Sequence, residues 1–214
     1  MKKLKYIFLL AGALSLASCE SWLDEDPQYT INTKTQFSTV ENAKQALMGC
    51  YGYMSADNAY GQAWQEVTFG YCGFGWSQTN GSSTDLLVSM DGGIDETINT
   101  MAWRGMYKVI GETNAFIANI ADSPLESADK LPMEAAARFL RALAYYNLAV
   151  TYGDVPLKTT PSAHDGVAVP RSPKNEVFEL VRTDWEFAYE NLPEKDDDGF
   201  ATKWAAKAYL GKLY

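Results

Sequence analysis

The sequence predicts a mainly α-helical fold, and three observations carry that prediction. Trp103, Tyr107, Ile110, Asn114, Ile117 and Ala121 recur at alternating steps of four and three, the spacing of a buried helical stripe. Phe139, Leu143, Tyr146 and Val150 form a second stripe, widened by Leu140, Ala144 and Leu148, while Arg138, Arg141 and Tyr145 point elsewhere. A helix apolar over so broad an arc packs on more than one side. A third stripe, Phe178, Val181, Trp185, Ala188 and Leu192, follows Ser172-Pro173 in N-cap and N1 order.

The elements follow in chain order from a distinctive start. Met1-Lys-Lys-Leu-Lys5 precedes a short apolar run from Tyr6 to Leu14, and Leu16-Ala-Ser-Cys19 closes it. A basic start, a short apolar core and small residues before a cleavage point describe a secretory signal over residues 1–18. The core is well short of the roughly 18–20 apolar residues that cross a bilayer. The Leu-Ala-Ser-Cys order resembles the bacterial lipobox, in which the Cys19 thiol is acylated and becomes the first residue of the mature chain.

Residues 19–36 read as a lipidated, extended tether with Pro27 and many polar residues, and 37–214 as the domain. Ser38-Thr-Val-Glu41 is a capping box that opens a first helix to about Met54, with Ala43, Leu47, Cys50 and Met54 on one face. Residues 57–96 are glycine-rich and aromatic and predict a long irregular region, of the kind that is often functional. The second helix carries the Trp103 stripe. Pro132 opens the third, which runs to Thr151 and stops at Gly153. Residues 154–171 are a connector without period, and the fourth helix follows. Thr202 caps a fifth, Lys203 to Tyr214. Trp103, Trp185 and Trp204 are expected in the core. The pattern ends without a stop signal, as in a fragment. Pairing of the first helix with the second and the third with the fourth is expected.

Composition narrows the function. Loss of residues 1–18 removes three lysines and no acids, leaving 15 basic and 27 acidic residues and a charge of about −12. So acidic a chain does not attract phosphate backbones, and nucleic-acid binding is excluded. Membrane contact is then left to the lipid; several acyl chains make attachment stable where one is marginal. Cys50 and Cys72 are read as unpaired small hydrophobes, with a disulfide between them as the alternative. His164 is the only histidine and sits in a loop, with no Cys/His/Asp cluster at metal-ligand spacing around it, so no metal or other cofactor is expected. Gly92-Gly93 is a turn. Asn114 interrupts an apolar stripe and is read as a buried amide tying down a neighbouring loop.

Several segments together resemble the SusD/RagB family, the surface glycan-binding lipoproteins of Bacteroidetes. They are Cys19-Glu-Ser-Trp-Leu-Asp-Glu-Asp-Pro27, the helix Trp103 to Ile120, and Glu134-Ala-Ala-Ala-Arg-Phe-Leu-Arg-Ala-Leu-Ala-Tyr-Tyr-Asn-Leu148 continuing to Tyr152-Gly-Asp-Val-Pro-Leu157. Arg171-Ser-Pro173, Glu176-Val-Phe178, Asn191-Leu-Pro193 and Thr202 to Tyr214 follow in the family's order. The match covers nearly the whole chain and is weakest over 57–96. It implies tetratricopeptide-like helix pairs in a superhelical domain with long irregular loops, of which this chain is the N-terminal part. It also implies a partner, a TonB-dependent, SusC-like outer-membrane transporter. Asp24, Glu25 and Asp26 resemble the acidic signal that sends such lipoproteins to the cell surface; a solvated tether is the plain alternative.

Sugar binding needs flat apolar faces for C–H surfaces, with amides and carboxylates for hydroxyls. The stretch from Trp64 to Asp85 holds both kinds, and Trp76, Asn80, Asp85 and Trp64 are the candidate ligand contacts. Rings that anchor the loop on the helices are the alternative reading of the same residues. Three other functions stay open: a lipoprotein that binds a nutrient other than sugar, a scaffold that binds protein and no sugar, and a glycoside hydrolase using two carboxylates about 5–9 Å apart. No catalytic motif is found.

Overall fold

In the computed structural model, which describes residues 33–75, 88–90, 97–161, 169–196 and 198–214, Thr39 rather than Ser38 caps the first long helix. Its Oγ1 accepts from the Asn42 N–H at 3.2 Å. Ser38 instead donates its hydroxyl back to the Thr35 carbonyl, so the Ser38–Glu41 box does not form. Thr35 belongs to a short helix, α1 (Thr33–Gln36), at the end of the stretch expected to be extended. The signal segment, Cys19 and the tether through residue 32 lie outside the described residues.

Helix α2 (Val40–Ser55) buries Ala43, Leu47, Cys50 and Met54, the face predicted for it. The next stretch departs from expectation. A wide turn at Asp57–Gly61 leads straight into α3 (Ala63–Gly70), so this part of 57–96 is ordered helix. Trp64 and Val67 anchor α3 in the core.

Helix α4 (Thr97–Ala121) holds the predicted second helix with its stripe rotated by one residue. Ala102, Met106, Val109, Thr113, Phe116 and Ile120 are buried, each one position before the predicted row. The reason is a two-sided environment: α4 packs on α2, α3 and the Asp57–Gly61 turn, and also on the next helix. Ile110 and Asn114 face that second side and are buried as well.

That next helix, α5 (Ser127–Tyr152), begins five residues before Pro132. The Asp129 and Lys130 N–H groups donate to the Glu126 carbonyl at 3.0 Å each, and Lys130 Nζ reaches the Ala121 and Ser123 carbonyls. These contacts hold a first turn that the lost N–H of Pro132 would otherwise weaken. The helix ends as predicted at Gly153, whose φ of +76° is costly for any side-chain-bearing residue. Its burial is close to all-round from Met133 to Ala149, with Val150 exposed at the end of the predicted row.

The connector contains a small antiparallel pair, β1 (Val155–Pro156) with β2 (Arg171–Ser172), in the register Val155–Ser172 and Pro156–Arg171. This ladder takes up Ser172, so Pro173 becomes the N-cap of α6 (Lys174–Asn191), and Asp154 Oδ1 accepts from the Lys174 N–H at 2.9 Å. Val181, Trp185 and Ala188 are fully buried along the predicted row. Helix α7 (Lys203–Leu213) closes the described chain; Thr202 is at its N-cap, without a side-chain capping bond. Only Ala206 of α7 is fully buried, and Trp204, expected in the core, is 51% exposed with Lys203 over its ring. Position 204 points away from the row that α7 lays on α6.

The most extensive interfaces are α5 on α6 and α4 on α5, followed by α6 on α7 and α2 on α4. Both expected pairings are present, and α5 joins them into one helical layer. The fold is mainly α, as predicted. Among the described residues, no helix is long and apolar enough to cross a membrane.

Candidate functional site

The connector after α5 is held by a polar set inside the helical layer. Asp184, fully buried on α6, accepts two hydrogen bonds of 2.8 Å from the Arg141 guanidinium of α5. Such a fork on a carboxylate is the strong form of the pair, and buried charges persist only when paired. A third donor of Arg141 reaches Asn114 Oδ1 at 2.8 Å. The Asn114 amide in turn donates to the carbonyls of Lys158 at 3.0 Å and Thr160 at 3.2 Å. Asn114 is therefore the buried amide that ties down a loop, as its place in the stripe predicted. Arg138 supports the same carboxylate from 3.6 Å, pairs with Glu134 and lies 4.2 Å over the Phe187 ring.

Two phenols complete the clamp. Tyr145 donates to the Lys158 carbonyl at 2.8 Å and accepts from the Lys158 N–H at 2.6 Å. Tyr107 donates to the Pro156 carbonyl at 2.7 Å. Burial pushes the Tyr107 phenol well above its usual range, so it stays a donor.

From these phenols a run of rings leads to the stem of the loop that follows α3. Tyr145 packs edge-on against Tyr107 at 6.4 Å, Tyr107 on Trp103 at 5.0 Å, and Trp103 edge-on against Tyr152 at 5.1 Å. The Tyr152 hydroxyl donates to the Asn99 carbonyl at 3.2 Å, and Asn99 Nδ2 donates to the Tyr71 hydroxyl at 3.2 Å. Tyr71 stands in the turn after α3, and Gly73, with φ +75°, reverses the chain there. Phe69, Tyr71 and Phe74 are 52%, 41% and 94% exposed. A belt of aromatic groups thus joins two segments: the 71–75 stem and the 155–160 connector.

The predicted ligand residues fall differently against this geometry. Trp64 is 8% exposed, tilted on Tyr60 at 6.3 Å, and roots α3 rather than facing solvent. Trp76, Asn80 and Asp85 lie outside the described residues, directly beyond the stem, as do His164 and Gly92-Gly93. Cys50 is a buried free thiol and Cys72 an exposed one. Among the described residues, no three His, Cys, Asp or Glu side chains come together as a metal site. Sequence reasoning missed the Arg141–Asp184 pair and the Tyr107 and Tyr145 clamps. The available signal was an arginine at the edge of the broad apolar arc of one helix and an aspartate directly before Trp185 of the other.

Comparison with known proteins places this architecture. A solved SusD superfamily protein from Bacteroides thetaiotaomicron superposes with a TM-score of 0.72 at 25% identity, over 82% of this chain and 42% of its own. A structure determined with a xylogluco-oligosaccharide gives 0.71 at 26% identity, over 80% of this chain and 34% of its own. SusD-like protein P25 of Formosa agariphila is 25% identical over 98% of this chain, which spans 42% of that relative's length. The family model described as starch-binding and associating with the outer membrane matches residues 21–214. The family model covers nearly the whole sequence and the fold superposes over most of it, and the chain belongs to the SusD-like family.

Proposed function

We propose that this chain is the N-terminal part of a lipid-anchored outer-membrane protein that captures a polysaccharide or oligosaccharide and delivers it to a TonB-dependent, SusC-like transporter. The observation that carries the reading is the rooted aromatic stem. Tyr71 and Phe74 are exposed on a turn tied through Asn99 and Tyr152 to the helical layer, and the chain runs from there into Trp76, Asn80 and Asp85. Rigidly held rings offer apolar faces to sugars at little entropic cost. Amides and a carboxylate in the adjoining loop supply hydroxyl partners. Family membership and a relative's fold solved with a xylogluco-oligosaccharide support a glycan as ligand. The Leu16-Ala-Ser-Cys19 order supports the anchor, and the acidic run Asp24-Glu25-Asp26 supports a chain that faces the cell exterior.

The protein in this reading binds and does not cleave. Its test is a glycan array probed with full-length protein, followed by analysis of chain lengths after prolonged incubation, and a pull-down from native membranes. Binding without shortening, together with recovery of a TonB-dependent transporter, is the expected outcome. Shortening of glycans that disappears on mutation of one carboxylate would establish a hydrolase. Recovery of a protein partner with no glycan retained would establish a scaffold.

A further inference from the structure

A cleft of about 270 Å³ opens between α1–α2 and the far half of α4, on surfaces that the aromatic belt does not use. Its floor is apolar: Cys50 and Phe116 are 4% and 3% exposed, and Phe37 packs edge-on against Phe116 at 5.4 Å. Burial, with the negative charge of Glu112 adding to it, pushes the Cys50 thiol up to about 12, so the floor is uncharged at neutral pH. The rim carries three amides beside the exposed Tyr53 ring and the small Ala46 and Ala115. Gln36 and Gln45 enter from α1 and α2, and Asn119 from α4, where its Nδ2 donates to the Ala115 carbonyl at 2.8 Å. The one carboxylate of the rim, Glu112, is paired with Lys108 at 2.6 Å. An apolar floor under neutral donor and acceptor groups, with Glu112, the only charged residue among the described lining, paired, suits an uncharged polyhydroxylated ring.

Gly49 keeps the cleft open. It lines the cleft in mid-α2, where glycine costs helix stability, yet a Cβ built there meets nothing within 4 Å. Neither backbone conformation nor packing requires glycine at this position, whereas any larger side chain would project into the cleft. The volume lies near the lower end of ligand sites, about 300–1,000 Å³, so one ring fits rather than a chain.

We propose that this cleft is a second carbohydrate subsite that takes one neutral pyranose unit. It rests on the glycan-binding reading but not on the loop beyond Gly75. A sugar is the occupant because its hydroxyls can meet the three amides while a C–H face lies on the Tyr53 ring and the apolar floor.

Ligand-observed NMR titration of full-length protein with xylogluco-oligosaccharide, glucose, galactose and xylose tests it. Wild type, Gly49→Trp, Gln45→Ala and the loop variant Trp76→Ala are compared, with circular dichroism confirming the fold of each. Gly49→Trp is expected to weaken monosaccharide binding by about tenfold or more, and Gln45→Ala severalfold, and both losses are expected to persist when the substitutions are made in the Trp76→Ala background. Gln45→Ala removes an exposed amide and no packing, so it reports even where Gly49→Trp perturbs the fold. Unaltered binding in both cleft variants, with loss in Trp76→Ala, overturns the second subsite and leaves the proposed function standing. Absence of any sugar binding to wild type overturns both.

Discussion

Gly105 of α4 lies directly against the Asn58 carbonyl: a Cβ built at position 105 would stand 1.8 Å from that oxygen. The obstacle is backbone, so no side-chain rotation relieves it. The approach lets α4 seat on the Asp57–Gly61 turn, which starts the α3 stem and places Tyr71 beside Asn99. Gly105→Ala is expected to destabilise the protein by about 1–3 kcal/mol, as overpacking does. Urea unfolding measures it. Gly49→Ala, with open space around its Cβ, is the matched control and is expected to stabilise by about 0.5–1 kcal/mol. Equal stabilities of Gly105→Ala and wild type would mean that the turn yields freely.

Removing one partner of the Arg141–Asp184 pair leaves the other charged in the core. Arg141→Met and Asp184→Leu are each expected to cost about 3–5 kcal/mol, and the double substitution less than their sum. A thermodynamic cycle from urea melts measures the coupling. Arg141→Met also leaves Asn114 Oδ1 without its donor, so faster amide exchange at Lys158 is expected in that variant. Additive costs would show that the two side chains act separately.

Alkaline pH tests the buried phenols. Burial raises Tyr51, Tyr60 and Tyr152 to about 12, above the usual 10.0, and raises Tyr107 further. The folded chain therefore holds protons that the unfolded chain releases. The stability these groups contribute is complete below about pH 10 and is lost as pH rises through about 12. Phenolate absorbance should show a late-titrating group of tyrosines, and the melting temperature should fall across that window. Titration of every tyrosine near pH 10 in the folded protein would contradict the burial.

Acylation of Cys19 follows from the Leu16-Ala-Ser-Cys19 order behind a short apolar core. Metabolic labelling with a fatty acid is expected to mark wild type and leave Cys19→Ala unmarked. Equal label in both removes the anchor from the reading.

Trp76 is the nearest large ring beyond the rooted stem. A ring that anchors a small interface is worth on the order of 2 kcal/mol, about thirtyfold in affinity. Trp76→Ala should weaken glycan binding at the loop by at least about tenfold with little change in melting temperature. A variant that unfolds instead identifies the ring as a packing anchor.

Helices α5 and α6 were legible because their apolar rows are long and their neighbours lie on defined sides. The single-row reading of α4 missed by one residue because a helix covered on two flanks has no single buried row. Pro132 misled as a start signal because tertiary contacts of Lys130, which local sequence does not reveal, hold the turn before it. Asn114 was legible as an amide in an apolar row. Asp184 was not: its partner is 43 residues away, and an acid on a helix that also carries four glutamates reads as solvated until that partner is known. Trp64 was misplaced because a short helix of eight residues, flanked by glycines, carries too little period to be seen.

The three-way meeting of Asn114, Arg141 and Asp184 also bears on alignment. One guanidinium engages side chains on two neighbouring helices at once. A slide of α6 along α5 by one turn, about 5.4 Å, would still bury apolar surface, since leucine-like rows are interchangeable at that step. It would carry Asp184 beyond reach of Arg141 and strand both charges in a dry interior. A similar slip of α4 would withdraw Asn114 and release the Lys158 and Thr160 carbonyls. Hydrophobic contacts bring these helices together; the ion pair and its amide partner make only one sliding position acceptable.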